Sequence, residues 1–291
     1  LTQGATLQHE AEALSAALPP LMADAERLAS TVSLGIHGRR KAGMGESFWQ
    51  FRRFRDEDAS TAIDWRQSAK SQHLFVRERE WEVAQSVWFW RDGSPGMDFR
   101  SGTVSKRDRA SLLALALASA LVRGGERVAF LGDIHSPASS RIALRRMALK
   151  LTDKASSAAL PPEAPMSRNA QFVWFSDFLS PLPALENVFK RFTQSGVGGT
   201  LVHIVDPAEE DFPYEGRTRF EAPNGESTET LGRAESVAST YRARFKAHAE
   251  TLALLARRQG WTYLAHRTDR TPQTALVALY AEMSGATYAR G

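Results

Sequence analysis

The sequence predicts an α/β fold built on a doubly wound, mostly parallel sheet of the Rossmann-like kind, and three observations predict it. Short, near-continuous apolar runs (Ser86 to Trp90, Val128 to Leu131, Phe172 to Phe175, Thr200 to Val205) alternate with longer segments of helical periodicity. Strands that are apolar on both faces belong to parallel sheets covered by helices. The 291 residues, 43% hydrophobic and 24% charged, have the composition of an ordinary globular protein large enough to bury a substantial core.

The elements follow in order. Residues 7–30 read as helix with a break at Pro19-Pro20, apolar positions from Leu14 to Leu28 falling near helical spacing. Residues 31–82 change texture. Glycines at 35, 38, 43 and 45, many aromatics and charge of both signs surround short alternating runs at 48–51 and 73–76, which read as strands of a small β-rich appendage. From 83 to 291 the α/β alternation is regular. The first strand, 86–90, is followed by a helix from Lys106 to Arg123 stopped by Gly124-Gly125. Further helices are expected over 141–151, 183–195, 233–258 and 272–283, and a last strand over 261–266. Pro223-Asn224-Gly225 between two β-like stretches predicts a hairpin.

Composition narrows the function classes. With no cysteine there is neither disulfide nor thiolate chemistry, which fits a cytoplasmic location. The opening LTQGATLQHEAEAL lacks the basic and apolar regions of a secretory signal, and no apolar run approaches the ~20 residues of a membrane span. A formal net charge of +4 argues against nucleic-acid binding; the one basic cluster, Arg39-Arg40-Lys41, reads as a solvated loop or an anion contact. Neither a phosphate-binding Gly-x-x-x-x-Gly-Lys-Ser/Thr loop nor a His-Glu-x-x-His pair occurs.

The chemistry-bearing residues sit where strands end. Asp92, Asp177 and Asp206 terminate three predicted strands, at the sheet edge where such folds bind ligands. In Asp92-Gly93-Ser94, a carboxylate followed two residues on by a hydroxyl can offer hard oxygens to Mg²⁺, Mn²⁺ or Ca²⁺, with Asp177 approaching from a neighbouring strand. Equally, these acids can cap the loops and helices that follow them. A rival reading takes Asp92-x-Ser94-x-Gly96 as a nucleophile elbow, with Asp206 and His266 completing a serine hydrolase. Against it, Asp92 crowds the strained turn. Pro95 also lacks the N–H that would serve the oxyanion, a donor worth ~3 kcal/mol. His203, alone on a strand, reads as a core residue.

Several blocks together resemble a known family. Gly35-Ile36-His37-Gly38-Arg39-Arg40, Gly43-Met44-Gly45-Glu46-Ser47-Phe48-Trp49, Ile63-Asp64-Trp65-Arg66 and Val76-Arg77-Glu78-Arg79-Glu80-Trp81 are similar to the bacterial domain of unknown function 58 family in its short, soluble form, as are Gly125-Glu126-Arg127, Ser176-Asp177-Phe178 and Asp206-Pro207. The resemblance implies a von Willebrand factor A-like domain and a non-enzymatic role as adaptor or chaperone-like partner of a MoxR-type AAA+ ATPase, or a contact with a client protein. It also implies a metal-ion-dependent adhesion site, Asp-x-Ser-x-Ser, in which Asp92 and Ser94 fill the first two positions, Asp177 is the distal acid and Gly96 replaces the second serine. Ser139 and Ser140 lie in a loop suited to the missing hydroxyl ligand. In the appendage, Arg39, Arg40, Glu46, Asp64 and Arg66 are candidate partner contacts or structural ion pairs, and Trp49, Trp65 and Trp81 are expected to pack inside.

Overall fold

The structure, a computed structural model, describes residues 23–30, 48–54, 61, 63–79, 84–153, 157–225 and 227–286. The chain divides into two compact units: Gly35–Ala84, and Leu1–Leu34 together with Gln85–Gly291.

In the smaller unit, β1 (Phe48–Arg53) pairs antiparallel with β2 (Phe75–Arg79), with a register irregularity between Phe48 and Gln50. The loop between them carries the single helical turn α2 (Trp65–Ser68). Asp64 caps it, accepting the Gln67 N–H at 2.9 Å. Ser68 Oγ donates to the Asp64 carbonyl and accepts the Phe75 N–H, both at 2.8 Å, which fastens the turn to β2. Ile63-Asp64-Trp65-Arg66 is thus a bridge residue, a cap and the start of a helical turn. Trp65 corrects the packing expectation, being 65% exposed, because the turn points it outward. The side chain of Trp49, and all of Trp81, Arg39, Arg40, Lys41 and Glu46, lie outside the described residues.

In the larger unit, residues 23–30 form α1, which buries Ala25, Leu28 and Ala29. The sheet runs β4 (Arg127–Phe130), β3 (Ser86–Arg91), β5 (Gln171–Ser176), β6 (Gly198–Val205), β9 (Thr262–Arg267), all neighbours parallel. Counted from β3, this order is 2-1-3-4-5, a doubly wound sheet whose order reverses between β3 and β5. Val128 and Ala138 add one antiparallel bridge at the β4 edge. Every residue of β3, β5 and β6 is buried, as the unbroken apolar runs require.

Helices α3 (Lys106–Arg123), α4 (Arg141–Thr152), α5 (Leu182–Gln194), α7 (Ala238–Arg258) and α8 (Pro272–Ala286) flank the sheet, with α3 packed against α8. Ser105 and Ser140 N-cap α3 and α4. Aromatic rings fill the space beside α5: Trp174 meets Phe178 and Phe189, and Trp261 meets Phe172 and Phe189 edge-on. The expected hairpin is β7 (Thr218–Glu221) with β8 (Thr228–Leu231). No helix among the described residues is long and apolar enough to cross a membrane.

Candidate functional site

The C-terminal ends of β3 and β5 are adjacent at the reversal of strand order, so the loops leaving them diverge and open a crevice. Asp92 and Asp177 stand on its two sides, both buried. Each first does what a strand-end aspartate does. Asp92 Oδ1 accepts the Ser94 N–H at 2.7 Å, and Asp177 Oδ1 accepts the Leu179 N–H at 3.1 Å. Ser176 joins the two loops: its hydroxyl donates to Asp92 Oδ2 at 2.6 Å and accepts the Phe178 N–H at 2.8 Å. Phe178 is buried with φ +52°, a left-handed conformation costly for a bulky residue. The Ser176 bond, the His248 Nε2 contact to the Phe178 carbonyl at 2.9 Å and the Trp174 ring hold it there. Burial pushes the Asp92 carboxyl above the usual carboxylate range; the Ser176 hydroxyl pulls the other way and Asp177 adds to the rise.

The second half of the site comes from α3 and α6 (Pro207–Asp211). Asp206 and Glu209 form a capping box around α6: Asp206 accepts the Ala208 N–H at 2.9 Å, and Glu209 Oε2 accepts the Asp206 N–H at 3.0 Å. This reciprocal pair leaves Glu209 Oε1 aimed at Lys106, the first residue of α3, whose Nζ donates to it. The same Nζ donates to Asp177 Oδ2 at 2.9 Å. Lys106 is completely buried, 0% exposed, with the Phe99 ring 5.9 Å from its ammonium. Burial pulls its pKa down, but Asp177 and Glu209 together hold it above the ordinary lysine value. Glu209 is raised by burial, with Lys106 opposing.

Arg107, the next residue, locks the β3 loop. Its guanidinium bonds both oxygens of Asp98, Nη2 reaching Oδ2 at 2.9 Å, and Nη2 also donates to the carbonyls of Gly93 and Ser94 at 3.0 and 3.2 Å. Arg109 donates to the Thr268 and Arg270 carbonyls at the end of β9.

The structure therefore gathers Asp92, Ser94 and Asp177 into one crevice. A Cβ built on Gly96 would lie 3.1 Å from Asp177 Oδ2 and 3.8 Å from Ser94 Oγ, so position 96 faces the same point. Ser140 is not part of this cluster's bonding: its hydroxyl caps α4, accepting the Ala143 N–H. The donor set is already engaged by the protein's own donors. Both oxygens of Asp92 are engaged by Ser94 and Ser176, and the inward oxygen of Asp177 is taken by an ammonium. Among the described residues no group of three or more His, Asp or Glu is arranged to hold a metal.

The residues of the hydrolase alternative are engaged elsewhere. Asp206 accepts from the backbone N–H and the hydroxyl of Ser101, and from Thr268 Oγ1 at 3.4 Å. His266 Nε2 lies 3.5 Å from Arg109 Nη1, and burial, with that guanidinium, lowers its pKa to about 4. His203 is a core residue as expected, its Nδ1 2.7 Å from the Tyr263 hydroxyl. Of the appendage residues, Asp64 caps α2 and Arg66 is exposed on it.

Lys106, Glu209 and Ser101 are the site residues that the strand-end motifs do not reveal. Two signals point to Lys106 and Glu209. Lys106-Arg107-x-Arg109 places three cations in the first turn of a helix, against the positive end of its dipole, a placement that demands buried acidic or carbonyl partners. Asp206-Pro207-Ala208-Glu209 has the spacing of a capping box.

Several solved structures are similar to this chain. The conserved hypothetical protein BatB from Bacteroides thetaiotaomicron is 15% identical, with 71% of this chain and 100% of that one covered, at a TM-score of 0.42. An aerotolerance-related membrane protein from Bacteroides fragilis is 15% identical, covering 69% and 100%, at 0.43. An uncharacterised membrane-spanning protein from Vibrio fischeri is 16% identical, covering 69% and 98%, at 0.20. No curated protein matches. The family model described as "Protein of unknown function DUF58" matches residues 50–251, well over half of the sequence, and the chain belongs to that family.

Proposed function

We propose that this chain is a non-catalytic protein-interaction module, acting as adaptor or chaperone-like partner of a MoxR-type AAA+ ATPase through the face formed by its strand-end loops. The observation that carries the reading is the contrast within that face. Its acids are bonded to the protein's own groups, while the loop they hold rigid presents Leu179, 57% exposed, two residues beyond Asp177, and the β3 loop presents Phe99, 37% exposed. A fixed loop offering apolar side chains to solvent loses little freedom on docking, which favours association.

The test is surface plasmon resonance against the purified ATPase with ATP, with ADP and without nucleotide. Saturable binding in at least one state is expected. Leu179→Asp should weaken it by about 2 kcal/mol, roughly thirtyfold, if the residue anchors the contact. Binding absent in all three states refutes the reading. Binding that Leu179→Asp and Phe99→Asp both leave unchanged refutes the placement on this face.

A further inference from the structure

We infer that the strand-end crevice carries its own cation: the Lys106 ammonium occupies the place where Asp92, Ser94 and Asp177 would seat a divalent ion, and the protein binds no such ion there.

Asp177 Oδ2, Ser94 Oγ and the position of a second serine at residue 96 converge on one point, as the contacts of a Cβ at Gly96 show. The oxygen that would be the ion's anionic ligand accepts a hydrogen bond from Lys106 Nζ at 2.9 Å. A divalent ion ~2.1 Å from that oxygen would stand within contact distance of an ammonium, and where Asp92, Asp177 and Lys106 are all buried the repulsion between the two cations disfavours the ion. The ammonium is no passing visitor. It is completely buried, and it is clamped from the other side by Glu209, which the capping box of α6 holds in position.

Gly96 fits the same logic. A serine there would bring its Cβ to 3.1 Å from Asp177 Oδ2, the same oxygen that the ammonium already holds. An ion with its coordination shell can be stripped by chelators and needs a ligand from a partner. A lysine on α3 is permanent, holds one charge instead of two and forms no coordination bonds. The inference therefore does not depend on which partner binds, and its failure is separable from that of the adaptor reading.

The test is a Mn²⁺ titration of the full chain followed by electron paramagnetic resonance, which reads free Mn²⁺ directly, with and without Lys106→Ala. The unaltered, chelator-treated protein is expected to leave the free Mn²⁺ signal undiminished into the millimolar range. Lys106→Ala, which leaves Asp177 and Glu209 without their shared cation, should bind one Mn²⁺ per chain and lose it on further change of Asp177→Asn. Gly96→Ser added to Lys106→Ala should tighten binding several-fold. One-site binding by the unaltered protein, abolished by Asp92→Ala, overturns the inference. So does a Lys106→Ala protein with native circular dichroism that binds no Mn²⁺. If Lys106→Ala folds only with metal present, the metal-dependent refolding is itself the expected result. If it does not fold at all, the titration of the unaltered protein decides.

Discussion

Replacing Lys106 by Met keeps the length and apolar stem of the side chain and removes only its charge. What remains is a pair of carboxylates with little access to water: the Asp177 side chain is 6% exposed and that of Glu209 15%. Removing one partner of a buried ion pair costs about 3–5 kcal/mol, because the desolvation of the other is no longer compensated. Here two anions lose one shared cation and face each other, so the upper half of that range applies at neutral pH. The cost must also depend on pH. Without Lys106 the burial that already raises Glu209 is no longer opposed, so the folded variant binds more protons than the unfolded chain and its stability falls as pH rises through that window. Urea unfolding of both proteins at about pH 5 and about pH 8 should show a deficit that is larger at the higher pH. Glu209→Gln combined with Lys106→Met should recover part of the loss, giving a coupling energy of about 2 kcal/mol or more in the double-mutant cycle. A deficit below about 1 kcal/mol, or one that does not change with pH, would refute the claim that this lysine is a buried counter-charge.

Two further outcomes rest on other parts of the fold. Gly199 sits in β6 where a Cβ would lie 2.6 Å from the Phe172 carbonyl oxygen and 2.8 Å from the Trp261 ring. Neither the ladder nor the indole can retreat, so Gly199→Ala should cost about 3 kcal/mol in chemical denaturation. Gly232→Ala, with nothing within 4 Å, should be nearly silent; equal effects would remove the steric explanation. His203 is lowered to about 4, chiefly by burial. The unfolded chain protonates near 6.5 and the folded one near 4, so the stability due to neutral His203 is complete above about pH 7 and is lost as pH falls between those values. Asp92 and Glu209, raised in the fold, act in the opposite sense in both proteins. The informative quantity is therefore the difference between wild type and His203→Gln, which should change by about 2 kcal/mol between pH 7 and pH 5; a flat difference would sink the assignment.

The sheet is legible in this sequence because its strands are buried on both faces. Val87, Phe89, Phe172, Val173 and Leu201 leave no polar interruption to confuse the period, and each run is followed by a helix closed by its own signals, Ser105 at one end of α3 and Gly124 at the other. Strand order is not legible: nothing in the runs says that β5 lies beside β3, which is the pairing that makes Asp92 and Asp177 neighbours. The fate of those acids is harder still. A strand-end Asp followed by a hydroxyl reads the same whether it binds an ion, caps a turn or meets a lysine, because all three use the same oxygens.

What decides among these is a residue fourteen positions downstream, at the one place in α3 where a cation is disfavoured by the helix dipole. Local propensity argues against Lys106 at that position, and the fold keeps it there through Asp177 just after β5 and Glu209 on α6, two elements brought beside it only by the parallel crossovers. A residue that violates its local preference and is wholly buried is held by tertiary partners. Arg107 and Arg109 make the same point in the same turn: one is clamped on Asp98 and the β3 loop, the other on the carbonyls after β9. Three cations at one helix start thus tie the loops of β3, β5, β6 and β9 to α3, and the rigidity of the face that presents Leu179 follows from charges that the sequence displays as a misplaced basic run.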